Sequence, residues 1–248
     1  MRIDIASCSH QGGREYNEDS VRHSKQDGVC VAVVTDGLGG HGGGQVASSI
    51  AAGAIARAFM QAPSIDAGYI RGLFEQANAE VVKAQSPAKK MKSTGAALFI
   101  KDSAAIWGHV GDTRLYHFKD GRLAAQTLDH SVSQAAVFSG EITKEQIRHH
   151  ADRNKVLKAF GDDERFKAEI APVYTLEPGA HAFLLCTDGF WEYVLEPEMA
   201  LDLAVCDTPE GWIQAMTQRL SGRTPKDNDN YSAAAVLINL ESKGGEDE

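Results

Sequence analysis

The sequence predicts an α+β domain of antiparallel strand layers with helices packed on them. Three observations carry that expectation. The apolar runs are strand-sized and bounded by Gly, Asp or Asn. Two amphipathic helical periodicities stand together early in the chain, and two more lie near its end. No internal repeat at a period of roughly 20–50 residues competes with a layered domain.

Taken in order, Ile3 to Cys8 alternates apolar and small polar residues as an opening strand would, and Gly12-Gly13 marks a turn. Val31 to Val34 is a buried strand running into Thr35-Asp36-Gly37. The stretch Leu38 to Gly44 that follows is too rich in glycine to be regular. Val46, Ile50, Ala54, Ile55, Ala58 and Phe59 recur at helical spacing, as do Ile70, Leu73, Phe74, Ala77 and Val81. Strands are expected at Ala96 to Ile100, Ala104 to Val110 and Leu115 to Phe118, the last closed by the hairpin dipeptide Asp120-Gly121. Residues 129–164 read as short helical pieces inserted on the sheet, with a capping box in Thr143-Lys144-Glu145-Gln146. Strands resume at Ile170 to Tyr174 and Ala182 to Cys186, helices cover Glu196 to Ala204 and Pro209 to Leu220, and a last strand ends at Leu240. Residues 1–241 form one expected domain, and 242–248 an acidic, disordered tail.

The 248 residues are 43% hydrophobic, enough for one substantial core. A formal charge of -9 argues against nucleic acid as a partner, because that binding relies on clustered Lys and Arg. No run approaches the ~20 apolar residues of a membrane span. The polar start Met1-Arg2-Ile3-Asp4 lacks a signal-peptide pattern, so a cytoplasmic protein is expected. Cys8, Cys30, Cys186 and Cys206 are scattered without metal-ligand spacing and read as reduced core residues.

The chemistry is concentrated at strand ends. Val31 to Gly37 and Phe183 to Gly189 are both apolar runs ending in Thr-Asp-Gly, which place Asp36 and Asp188 at the edge of a sheet. Asp-Gly is also an ordinary turn dipeptide, so one copy alone says little. Two further acids strengthen the reading: Asp112 closes the run from Ala104, and Asp229 precedes the run from Ser232. In antiparallel pairs the end of one strand lies beside the start of its neighbour. Carboxylates gathered on one edge repel unless cations sit among them, and hard divalent cations prefer such oxygen ligands. The run Arg14-Glu15-Tyr16-Asn17-Glu18-Asp19 adds a guanidinium fork suited to phosphate and two more acids. The glycine-rich stretch lacks the Gly-Lys-Ser/Thr ending of a P-loop, so nucleotide binding is not supported.

Seven motifs occur together in order: Arg14 to Asp19, Asp36 to His41, Ser93-Thr94-Gly95, Gly111 to Arg114, Asp129-His130-Ser131, Thr187-Asp188-Gly189 and Asp229 to Ser232. In them the chain resembles the metal-dependent Ser/Thr protein phosphatases of type 2C, the PPM family, in its compact bacterial form. The resemblance implies two packed antiparallel sheets flanked by helices, an α-β-β-α sandwich, with residues 129–164 as a flap that influences substrate choice. It implies two core Mn2+ or Mg2+ ions and a weaker third. Asp36 would bridge the core pair, the Gly37 carbonyl would complete one site, and Asp188 and Asp229 would hold the other. Glu18 and Asp19 would act through water, Asp112 with Asp188 would hold the third ion, and Arg14 would grip the substrate phosphate. Metal lowers the pKa of water from about 16 towards neutrality, so no protein nucleophile is needed. The implied partners are phosphoprotein substrates and a cognate Ser/Thr kinase of eukaryotic type, control of type VI secretion is one implied setting, and a monomer is expected.

Animal and plant members carry His directly after the bridging Asp-Gly, where this chain has Leu38. His41 is therefore the candidate general acid, in competition with metal-bound water. His10, His109, His130, His149 and His150 read as packing or surface residues. Two rivals differ in kind. Cys8 and Arg14 match the Cys-x5-Arg loop of cysteine-dependent phosphatases, but the adjacent acids would raise a thiol pKa and no helix follows. A catalytically silent regulatory module would have lost some of the acids, and none is missing.

Overall fold

The computed structural model describes residues 1–39, 43–86, 90–162 and 166–241. Its strands are β1 (Arg2–His10), β2 (Ser20–Gln26), β3 (Val29–Leu38), β4 (Lys92–Lys101), β5 (Ala104–Val110), β6 (Arg114–Lys119), β7 (Arg122–Gln126), β8 (Glu169–Ile170), β9 (Tyr174–Thr175), β10 (Gly179–Cys186) and β11 (Tyr231–Leu240). Its helices are α1 (Gly43–Gln61), α2 (Ala67–Ala84), α3 (Val132–Phe138), α4 (Asp188–Trp191), α5 (Glu196–Ala204) and α6 (Pro209–Ser221), with a 3-10 helix at Lys144–His149.

The strands form two antiparallel sheets, ordered β1-β11-β10-β6-β7 and β2-β3-β4-β5-β8, with β9 also paired to β5. Alternating side chains point to opposite faces of a strand, and here both faces are covered. Cys30, Ala32 and Val34 of β3 meet Leu115, Phe183, Leu185 and Val236 of the other sheet. Val31 and Val33 instead meet Ala47, Ala51, Ile55 and Phe59 of α1. Double coverage is why these strands read as continuous apolar runs rather than as alternation. On the far side, Trp212, Ile213 and Met216 of α6 pack against Ala233 and Ala235 of β11. The expected α-β-β-α sandwich is therefore the observed one.

Two details differ from the sequence reading. The polar strand β2 is an edge strand, and its exposed Arg22, His23 and Lys25 hide it from a hydrophobic pattern. The expected strand Ile170 to Tyr174 is two short pieces, β8 and β9, that pair with β5 at different places. The expected short helix and capping box are present as a 3-10 turn at residues 144–149, with the Thr143 N–H donating to the Gln146 side chain at 2.7 Å. No helix among the described residues is long and apolar enough to cross a membrane.

Candidate metal centre

Both sheets deliver acids to one edge. Asp36 lies inside β3 opposite Thr94, and Gly37 lies opposite Ser93. Asp112 stands in the turn between β5 and β6, and Asp229 two residues ahead of β11. Asp188 is the first residue of α4, so the second Thr-Asp-Gly opens a helix, whereas the first is carried within a strand that continues to Leu38. Asp36, Asp112, Asp188, Asp229, Glu18, Gly37 and Arg14 together line a cleft of about 510 Å3. Asn154 and Val156 of the 129–164 insertion complete its wall.

Backbone hydrogen bonds set these positions. The Gly37 N–H donates to the Glu18 carbonyl at 3.1 Å, and the Ser93 hydroxyl donates to the Asp36 carbonyl at 2.7 Å. A Cβ on Gly37 would overlap the Gly44 carbonyl, so only glycine lets the start of α1 come this close. Gly44 N–H in turn donates to the Glu18 carboxylate at 3.1 Å. Gly189 approaches the Asn230 carbonyl so tightly that a side chain there would collide, which brings Asp188 beside Asp229.

The electrostatics suit cations. Burial first, then Asp188, Asp19, Asp112 and Asp229, hold the Asp36 carboxyl well above the ordinary range. Asp112 is raised likewise by burial and then by Asp188. Burial pushes Asp19 up to about 8 and Asp188 up to about 7, the latter reinforced by Asp229. Only nearby positive charge would keep such a cluster ionised at neutral pH. Asp19 Oδ2 accepts from the Thr187 hydroxyl at 3.0 Å, while its buried Oδ1 has no hydrogen-bond partner. Buried polar atoms are rarely left so. The donor set is entirely oxygen, which fits Mn2+ or Mg2+.

Arg14 makes a bidentate pair with Asp229, at 2.9 and 2.8 Å, rather than standing alone in the cleft. Sequence reasoning assigned no role to Asn230, yet this buried amide fastens the whole segment. It donates to the carbonyls of Gln11 and Tyr16 at 2.7 and 2.9 Å and accepts from the Glu18 N–H at 2.8 Å. Its position directly after Asp229 in an ordered motif was the available signal. His41 lies outside the described residues.

Cys8 sits within β1 opposite Ala233, in a strand rather than a phosphate loop. Burial chiefly, and Asp19 in addition, raise its thiol, so it is not an activated nucleophile. His109, His130 and Glu169 also cluster. The two imidazoles stack with centroids 4.6 Å apart and planes 10° from parallel, so one ion cannot lie in both ring planes. His130 Nδ1 accepts the Gly111 N–H at 3.2 Å, leaving its proton on Nε2, facing Glu169 at 3.4 Å. These histidines brace the Gly111 turn, in keeping with the packing role expected of them.

A two-sheet sandwich carrying an all-oxygen acid cluster and an arginine at one edge defines a metal-assisted phosphoester hydrolase. Residues 7–229 match the protein phosphatase 2C family, and the chain belongs to it. Among curated relatives, the serine/threonine phosphatase Stp of Listeria monocytogenes is 28% identical over 75% of this chain and 77% of its own length. The solved Mycobacterium tuberculosis phosphatase PstP/Ppp is 26% identical with a TM-score of 0.82, covering 97% of this chain and 99% of that one. A structure of the PstP catalytic domain in complex with two manganese ions is 24% identical, with a TM-score of 0.80 over 96% of this chain and 99% of its own. PppA of Pseudomonas aeruginosa, described as a key regulatory component of the type VI secretion system, is 27% identical, with a TM-score of 0.76 over 95% of this chain and 97% of its own.

Proposed function

We propose that this protein phosphatase removes phosphate from phosphoserine and phosphothreonine in proteins at a binuclear Mn2+ or Mg2+ centre. The observation that carries the reading is the convergence on one cleft of Asp36, Asp112, Asp188 and Asp229 from both sheets. Asp36, the Gly37 carbonyl, Asp188 and Asp229 would hold the core pair, and Asp112 with Asp188 a weaker third ion. When bound, the metals supply an acidified water and neutralise charge on the phosphoryl group.

The protein's own groups do the rest. Arg14 has five N–H donors and spends two on Asp229, so its outward face remains for phosphate oxygens. That pairing anchors the phosphate-binding arm to a metal ligand, which supports coordinated placement of substrate and ion. Asp19, fixed by Thr187, and Glu18, fixed by Gly44, orient water around the centre. His41 is the proposed general acid for the departing serine or threonine oxygen.

The names of the Stp and PstP relatives, both serine/threonine phosphatases, support phosphoproteins as substrates; an opposing Ser/Thr kinase, a cytoplasmic location and a monomeric state are part of the same proposal. The likeness to PppA supports type VI secretion as one setting. A phosphothreonine peptide tests the chemistry: Mn-dependent release of phosphate should vanish with EDTA and in Asp36→Asn and survive in Cys8→Ser. Turnover that resists EDTA and is lost in Cys8→Ser would reverse the assignment.

A further inference from the structure

Trp191 is the last residue of α4, the short helix that Asp188 opens, and it is 1% exposed. Its indole Nε1–H donates to the Asp112 backbone carbonyl at 3.0 Å. One side chain thus joins the helix bearing Asp188 to the turn bearing Asp112. Its ring is held on one side by the buried Arg114 guanidinium, 3.4 Å from the ring centroid. Arg114 is itself fixed by a bidentate pair with Asp129 at 2.8 and 2.7 Å and by the Tyr116 hydroxyl at 3.2 Å. From the 129–164 insertion, Arg148 donates to the Trp191 carbonyl at 3.0 Å and to Glu196 at 2.9 Å.

We infer that Trp191 is a positioning residue that sets Asp112 against Asp188 for the weaker third ion and ties that pair to the insertion through Arg148. The inference rests on the reading of Asp112 and Asp188 as ligands of that ion. Its physical basis is geometric. A cation needs its oxygens placed to within a few tenths of an ångström, and Asp112 stands in a turn, where neighbouring strands do not hold it. The indole bond satisfies a carbonyl that would otherwise be buried without a donor, and stacking on Arg114 restricts the ring to one orientation. Because Trp191 and Asp188 share one helical turn, movement of Arg148 would shift both acids together. Charge density at the third site is thereby linked to the position of the insertion, and by reciprocity ion binding bears on the insertion.

Mn2+ titration of the full chain, followed by the electron paramagnetic resonance of free Mn2+, tests this without reading activity. Trp191→Phe keeps an aromatic face for Arg114 and removes only the donor. It should weaken the low-affinity class of ions about three- to tenfold, the range for one lost buried hydrogen bond, and leave the tight class within about twofold. Asp112→Asn should abolish the low-affinity class. Loss in Asp112→Asn with wild-type binding in Trp191→Phe would overturn this inference alone, whereas wild-type binding in Asp112→Asn would overturn the third-ion reading and the inference with it. Equal weakening of both classes in Trp191→Phe would show a merely structural role and also overturn it. If Trp191→Phe does not fold, Arg148→Met carries the test: it loses the bonds to Trp191 and Glu196, about tenfold weaker binding of the low-affinity class is expected from loss of charged hydrogen bonds, and unchanged binding would overturn the inference.

Discussion

At the scale of single residues, the two Thr-Asp-Gly sequences are alike in spelling and unlike in setting. Asp36 lies within β3, paired with Thr94 of β4, and faces four other acids, whereas Asp188 starts a helix and its carboxylate accepts from the Gly189 N–H at 2.6 Å. Asp36→Ala should therefore abolish the tight pair of ions, while Asp188→Ala should retain one tight ion and lose the weak class. Inductively coupled plasma mass spectrometry of dialysed protein checks the counts, and equal losses would count against the distinction. Asn230→Ala removes three hydrogen bonds around Glu18 and Asp229. At about 1–3 kcal/mol for buried groups left unpaired, a drop of that size in urea unfolding is expected, together with weaker Mn2+ binding. The acids were legible in the sequence because charge at the end of an apolar run is conspicuous. The motifs contain Asn230, Thr187 and Ser93, but their roles were not legible, since a polar residue that bonds the backbone or one distant side chain has no spacing of its own. The Arg14–Asp229 pair, between residues far apart in sequence, could not be read before the sheets closed.

At the scale of elements, the doubly covered strands and long helices were readable because each buries a face with its own period. The edge strand β2 and the fragments β8 and β9 were not, because pairing on one side alone leaves little apolar signal. The close seating of α1 on β3 depends on Gly37, so Gly37→Ala should separate the Glu18, Gly37 and Gly44 contacts and cost Mn2+ affinity before it costs fold. Near-wild-type binding would contradict this. Between the sheets, His117 of β6 is 1% exposed, stacks on Phe183 at 4.3 Å, and bonds His181 at 3.1 Å. Burial first, then His181 and Lys119, push its pKa down to about 4. The neutral form is thus favoured by the fold, and its stabilisation is present above about pH 6.5 and lost as pH falls towards 4. On the order of 2–3 kcal/mol should disappear across that window. His117→Phe should flatten that part of the stability profile measured by urea unfolding, and an unchanged slope would exclude His117 as its source.

At the scale of the whole molecule, the sandwich holds the cleft by bringing acids from two separate sheets to one edge, so folding and metal binding are linked. Ligands that bind only the folded state stabilise it by about 2.7 kcal/mol at a hundredfold excess over Kd. Adding Mn2+ should raise the melting temperature by several degrees in the wild type and by much less in Asp36→Ala, as differential scanning calorimetry would show. This geometry predicts where the ions sit. Anomalous diffraction at the manganese edge, from crystals of this chain grown with Mn2+, tests it most directly. Two strong peaks are expected among Asp36, the Gly37 carbonyl, Asp188 and Asp229, with a weaker one between Asp112 and Asp188. A cleft without peaks, or peaks confined to His109, His130 and Glu169, would contradict the account.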